Sequence, residues 1–236
     1  MKKFALVWCS ELPGAPLQKM LVDTFCQPRE QWDILSPADP AFEAQAAGYD
    51  GYLISGSEKS VVDDAQTPFV ARLLAWLRRT AETSSSPMLG ICFGAQALAA
   101  ALGGKVGRNP DGHFRLGVEA LDWSPAVDRQ RWPELDADAV LVASHGECAL
   151  TLPPDAMVLA SSKTIAHEVF LVGDRFLGVQ GHPELSIRDL QEVFMPFHRA
   201  EFSPERWRDV EEECELTLSP EGVIALSRRL LAQGRL

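Results

Sequence analysis

Residues 88–96 read Met-Leu-Gly-Ile-Cys-Phe-Gly-Ala-Gln, with Cys92 between Gly90 and Gly94. An apolar run, Met88 to Ile91, ends on that cysteine, and a helix-forming run, Ala95 to Leu102, follows at once. The pattern is a strand, a sharp turn and a helix, with a thiol on the turn. Gly-x-nucleophile-x-Gly spacing suits a turn that is strained and crowded. Small flanking residues let the nucleophile stand clear of a sheet, and the next backbone N–H, that of Phe93, faces a developing oxyanion. The start of the helix adds unpaired N–H groups and a positive dipole end, both of which favour a thiolate.

A nucleophilic cysteine needs a base. Residues 176–184 read Phe-Leu-Gly-Val-Gln-Gly-His-Pro-Glu, again an apolar strand that ends in a polar cluster. Pro183 forbids a helical continuation and pushes His182 toward extended geometry. In an extended chain, residues two apart point to the same side, so Glu184 can reach the His182 ring and fix its tautomer. Cys92, His182 and Glu184 are thus the candidate nucleophile, base and orienting carboxylate.

These stretches resemble the class I glutamine amidotransferase family. Tyr49-Asp50-Gly51-Tyr52-Leu53-Ile54-Ser55-Gly56-Ser57 is similar to that family's oxyanion-hole strand and loop. Ser144-His145-Gly146-Glu147, Leu152-Pro153-Pro154 and Val158-Leu159-Ala160-Ser161-Ser162 are similar to the segment before its histidine strand. The resemblance covers roughly residues 1–190. It implies a second oxyanion donor at Ser57 or Gly56 and a glutamyl contact from Gln96, with His145 and Gly146 lining the glutamyl pocket or shaping a loop. Serine at 57, where the family often carries a flexible glycine, implies a preformed hole.

Motif detail resembles two branches, the free-standing γ-glutamyl peptidases and the glutaminase domain of GMP synthase. Nucleotide-synthesis members usually carry an aromatic residue where this chain has Gly181. They usually read Ser-Gly-Gly-Pro where it has Ser55-Gly56-Ser57-Glu58. With Gly-Lys-Val-Gly-Arg at 104–108, these details resemble the peptidases more. The resemblance implies hydrolysis of a γ-glutamyl amide through a γ-glutamyl thioester, with no metal or organic cofactor. Two alternatives are a glutaminase subunit that supplies ammonia to a separate synthetase and a non-catalytic regulatory protein that retained the fold. The expected partners are a small γ-glutamyl substrate and a synthetase or a second copy of the chain.

Composition bounds the rest. The chain has 236 residues, 46% of them hydrophobic, enough for one large α/β domain without covalent staples. A net charge of −11 argues against a nucleic-acid partner. Five cysteines, at 9, 26, 92, 148 and 214, show no spacing pattern, which suits a reducing cytoplasm. Met1 to Cys9 reads as a first strand rather than a leader, because its apolar run is short and Glu11 follows. No stretch approaches the ~20 apolar residues of a membrane span.

Strands are expected at Phe4–Trp8, Trp32–Leu35 and Tyr52–Ile54, with helices at Leu17–Phe25 and Phe69–Thr80, the latter opened by Thr67-Pro68. This alternation predicts a doubly wound, mostly parallel sheet flanked by helices, flavodoxin-like, with the site beyond the carboxyl ends of its strands. Arg115–Leu121 and Ala139–Ala143 are expected as antiparallel strands at the far side, and residues 123–138 as a surface connection. Helices are expected at Glu192–Ala200, Pro204–Cys214 and Pro220–Gln233. The domain is therefore read as residues 1–190, with 191–236 a helical extension packed on it that covers the fold, builds a dimer face or shapes the pocket. Cys9, Cys26, Cys148 and Cys214 read as small interior residues, and His113, His167 and His198 as structural. Gly103-Gly104-Lys105 is no phosphate loop, because Val106 stands where Ser or Thr is required.

Overall fold

The computed structural model describes every residue except Pro13 and Asp136. Strand β1 (Lys2–Val7) leads into α1 (Ala15–Phe25), β2 (Glu30–Leu35), the short α2 (Phe42–Gln45), β3 (Gly51–Ile54), α3 (Pro68–Thr83), β4 (Met88–Ile91) and α4 (Phe93–Ala101). There follow β5 (Lys105–Arg108), β6 (Arg115–Trp123), β7 (Ala139–His145), β8 (Glu147–Thr151), β9 (Ala156–Ser161), β10 (Val169–Val172) and β11 (Phe176–Val179). The chain closes with α5 (Ile187–Asp189), a π-helical turn (Leu190–Phe194), α6 (Met195–His198), a 3-10 turn (Arg199–Glu201), α7 (Pro204–Glu213) and α8 (Glu221–Gln233).

Nine strands form one sheet in the order β2-β1-β3-β4-β11-β10-β9-β6-β7, while β5 and β8 pair separately. From β2 to β11 every pairing is parallel, and from β11 to β7 every pairing is antiparallel. The parallel strands β3, β4 and β11 are buried at every residue, as short apolar runs covered on both faces should be. Alternate side chains divide the core. Phe4, Leu6, Leu53, Leu89, Ile91 and Leu177 meet α1 and α8 on one face; Ala5, Val7, Tyr52, Ile54 and Met88 meet α3 and α4 on the other. Helix α3 starts where its sequence requires: the Thr67 hydroxyl accepts from the Val70 N–H and Pro68 occupies the first turn. Gly234, at φ 82°, ends α8 in a left-handed cap.

Three expectations need correction. Residues 123–138 are not a mere surface connection: Val127, Trp132 and Leu135 are buried in the core, and a 3-10 turn (Pro133–Leu135) packs on α8. Gly222 makes that fit possible, since a Cβ there would lie 2.5 Å from the Glu134 carbonyl. The single helix expected over Glu192–Ala200 instead starts at Ile187 behind a Ser186–Asp189 capping box and passes through π, α and 3-10 turns. Pro196 explains the irregularity, because it lacks the N–H a regular helix needs there. Strands β5, β8, β9 and β10 were not expected. The antiparallel placement of β6 and β7 at the far edge was.

Candidate active site

Three strand ends, those of β3, β4 and β11, converge where the parallel sheet presents its carboxyl edge. Cys92 follows β4 directly. Its N–H donates to the Val179 carbonyl (2.8 Å), and it adopts φ 51°, ψ −109°, a strained conformation for a residue with a side chain. The flanking glycines are required by contact. A Cβ on Gly90 would lie 2.5 Å from the Gly94 carbonyl group, and one on Gly94 would collide with the Ile54 carbonyl. Phe93, at the first position of α4, carries an N–H with no acceptor inside the helix.

His182 follows β11. Its N–H is held by the Val142 carbonyl (2.8 Å), and its Nδ1 lies 2.8 Å from Glu184 Oε1. Burial alone would drive proton loss from this ring. The Glu184 carboxylate and the Cys92 sulfur outweigh burial and push the pKa up to about 10, so the ring keeps its proton at neutral pH. The Cys92 sulfur also lies 3.6 Å from the Ser144 carbonyl oxygen.

The loop after β3 completes the edge. A Cβ on Gly56 would lie 3.2 Å from His182 Cε1 and 3.6 Å from Cys92 Cβ, so this backbone sits directly against both. The Ser55 hydroxyl accepts from the Cys9 N–H (2.9 Å) and donates to the Gly56 carbonyl (2.8 Å). The Ser57 hydroxyl donates to the Cys9 carbonyl (2.6 Å) and accepts from the Lys59 N–H (3.0 Å). With the Gly56 oxygen held, the Gly56–Ser57 peptide has a fixed orientation, and the Ser57 N–H points opposite to that oxygen.

The sequence profile of the family "Glutamine amidotransferase class-I" matches residues 14–198. The chain belongs to that family. Gamma-glutamyl peptidase 3 of Arabidopsis thaliana is 29% identical over 211 residues, 87% of this chain and 83% of that protein. GMP synthase [glutamine-hydrolyzing] of Aliivibrio fischeri is 27% identical over 138 residues, which cover 58% of this chain but 24% of the synthase. A glutamine amidotransferase crystal structure from Thermotoga maritima superposes with a TM-score of 0.73 at 22% identity, covering 99% of this chain and 97% of that one.

In this amidotransferase-family chain a cleft of about 620 Å³ opens above the strand ends. Cys92, His182, Glu184, Phe93, Gly56, Ser57, Gln96, His145 and Gly146 all line it, so every residue singled out from the sequence is brought to one place. Gln96 is buried, and its amide donates to the Glu147 carbonyl (2.8 Å) and toward Gln180 Oε1 (3.3 Å). His145 is also buried. Burial first, then the positive His182, holds its pKa down to about 3, so it is neutral. The Asn109 amide nitrogen donates to the His113 and His145 carbonyls, which leaves Asn109 Oδ1 to accept from His145 Nδ1 at 3.1 Å.

Sequence reasoning missed part of the lining. Glu147 takes the Ser60 hydroxyl (2.7 Å) and Arg108 (3.2 Å), forming a polar hub with Gln96. Its place directly after Ser-His-Gly was the available signal. Phe114, Phe194, Phe197 and His198 also line the cleft, with Phe114 against Gly146, and nothing in their local sequence marks them. Cys9 and Cys148 are interior, whereas Cys26 and Cys214 are only partly buried. His167 holds the Ala149 carbonyl, as a structural histidine should, and His113 lies exposed. Among the described residues no cluster of His, Cys, Asp or Glu is arranged to hold a metal ion, and no helix is long and apolar enough to cross a membrane.

Proposed function

We propose that this protein hydrolyses γ-glutamyl amides, glutamine or a γ-glutamyl peptide or amine, with Cys92 as nucleophile. The observation that carries the reading is the strained Cys92 at the start of α4, beside a His182 whose ring Glu184 orients at 2.8 Å. The thiolate attacks the γ-carbonyl carbon, and the Phe93 and Ser57 N–H groups receive the oxyanion. As the C–N bond breaks, His182 gives its proton to the departing amine, leaving a γ-glutamyl thioester. A water then attacks, its proton passes to His182, the C–S bond breaks, and glutamate leaves. Gln96, with the Glu147 hub, His145 and Gly146, forms the glutamyl end of the cleft. The similarity to gamma-glutamyl peptidase 3 over 87% of the chain supports this chemistry. Residues 1–190 would carry the catalytic groups and 191–236 form an extension packed on them whose first turns, over 193–201, line the cleft. The five unpaired cysteines suit a cytoplasmic setting.

Glutamate release by the isolated chain tests the reading. Wild-type protein should hydrolyse γ-glutamyl amides unaided, and Cys92→Ala should reduce kcat by at least about 10⁴-fold. A Cys92→Ala protein with full activity would overturn the mechanism. The similarity to GMP synthase favours a second reading, a glutaminase subunit. It predicts turnover of glutamine alone, and only with a synthetase partner present. If Cys92 fails to react with an electrophilic glutamine analogue, the non-catalytic reading stands instead.

A further inference from the structure

The cleft lining divides into two chemically different groups of residues. Gln96, Ser60, Arg108 and Glu147 gather around the α4–β8 junction. Leu12, Val193, Phe194 and Phe197 form an apolar group on the same lining. Granting the hydrolase reading above, we propose that the apolar group forms a leaving-group subsite selective for γ-glutamyl amides whose amine carries an uncharged aromatic body.

Position comes first. His182 delivers the proton to the departing nitrogen, so the amine must leave past that ring. The Phe194 ring centroid lies 5.9 Å from the His182 ring, which places an aromatic face next to the departing group. His198 packs against Phe114 at 4.3 Å and meets Phe197 edge-on at 4.9 Å, so further aromatic faces lie on the same lining. Offset and edge-to-face partners suit a further ring.

Exposure comes second. Phe197 is 67% exposed, Leu12 52% and Val193 48%, and all three line this cleft. Large apolar groups left in water around a cleft gain from a ligand that covers them.

Charge decides the class of amine. Among the described lining residues, Lys59 is paired with Glu11 and Arg108 with Glu147 and Asp63. His198 is engaged with Glu201 at 2.6 Å. A leaving group with its own carboxylate would meet Glu201 and no uncommitted cation. An arylalkylamine lacks that penalty.

The test compares four substrates by glutamate release: γ-glutamylbenzylamide, γ-glutamylethylamide, γ-glutamylphenylalanine and glutamine. Wild-type kcat/KM for the benzylamide should exceed that for the ethylamide by about tenfold or more, as burial of a phenyl ring allows. It should also exceed that for γ-glutamylphenylalanine. Phe197→Ser should shrink the benzylamide-to-ethylamide ratio to within about threefold, a ratio independent of how much enzyme is folded. A wild-type ratio near one, or an undiminished ratio in the variant, overturns the subsite while leaving the hydrolase intact. Preference for γ-glutamylphenylalanine overturns the uncharged-amine assignment. Release of glutamate from none of the four overturns the hydrolase reading and the subsite with it.

Discussion

The two halves of the sheet meet at β11 and are built on different principles. The parallel half, β2 to β11, has apolar central strands, β3, β4 and β11, buried on both faces, and holds its site by backbone: glycine contacts, strand ends in step and one strained cysteine. The antiparallel half, β10 to β7, carries charge inside. Arg115 binds Glu119 at 2.6 Å and Glu213 at 2.7 Å, and Glu119 also accepts from the Thr164 hydroxyl. Glu168, fully buried, accepts from Ser162 at 2.8 Å. One half is specified by shape, the other by charge balance between residues far apart in the chain.

Gly94→Ala should break the parallel half. The new Cβ would meet the Ile54 carbonyl, which is backbone and cannot rotate away, so the elbow and β3 must separate. The expected cost is on the order of 3 kcal/mol or more, read as loss of soluble, cooperatively folding protein. A variant that melts within two degrees of wild type would show that contact shape is not what specifies this half.

Arg115→Met should break the antiparallel half by a comparable route. It strands two carboxylates that share one cation, at a cost of about 3–5 kcal/mol in denaturant unfolding. Replacing Glu119 and Glu213 by Gln in the same chain should recover part of that loss; no recovery would mean that Arg115 acts through its bonds to the Leu116 and Val118 carbonyls and its packing, not through charge.

Glu168 sharpens the contrast through pH. Burial pushes its pKa up to about 7, against the Ser162 hydrogen bond, which pulls it down. Below about 4.5 both folded and unfolded states hold the proton. Between there and about 7 only the folded state does, so stability falls as pH rises through that window. Wild type should lose a few kcal/mol relative to Glu168→Gln between pH 4.5 and 7.5, and parallel stability curves for the two proteins would contradict this.

Ser55→Ala should have the smallest effect. It frees the Gly56 carbonyl and leaves the Cys9 N–H without its acceptor. We expect kcat to fall about tenfold, matching a lost hydrogen bond of ~1.4 kcal/mol that keeps the Gly56–Ser57 peptide oriented. Unchanged kcat would mean that the Ser57 hydroxyl suffices to hold the loop.

The same division governs what could be read in advance. Runs such as Phe4–Val7, Tyr52–Ile54 and Met88–Ile91 announce themselves, because strands buried on both faces must be apolar throughout. Strands β9 and β10 passed unnoticed because their pairing partners are set by the sheet and not by their own sequence, and β9 is only partly buried. Trp132 and Leu135 lie among charged and proline-rich neighbours that look like surface, and only contact with α8 buries them. The Gly181 position shows a mixed case. Its lack of a side chain was visible, but the cause is the approach of β7, where a Cβ would lie 3.1 Å from Leu141.

By itself the sequence determined the elbow, the His182–Glu184 pair and the alternation that makes a parallel sheet, because each depends on residues within a few positions of one another. Tertiary structure decided the Glu147 hub, the Arg115 network, the irregular course of residues 187–201 and the aromatic lining of the cleft. Those join Ser60 to Glu147, Arg115 to Glu213 and Phe114 to His198. Contacts over such chain separations leave no periodic trace, since neither member alters the local backbone preference of the other.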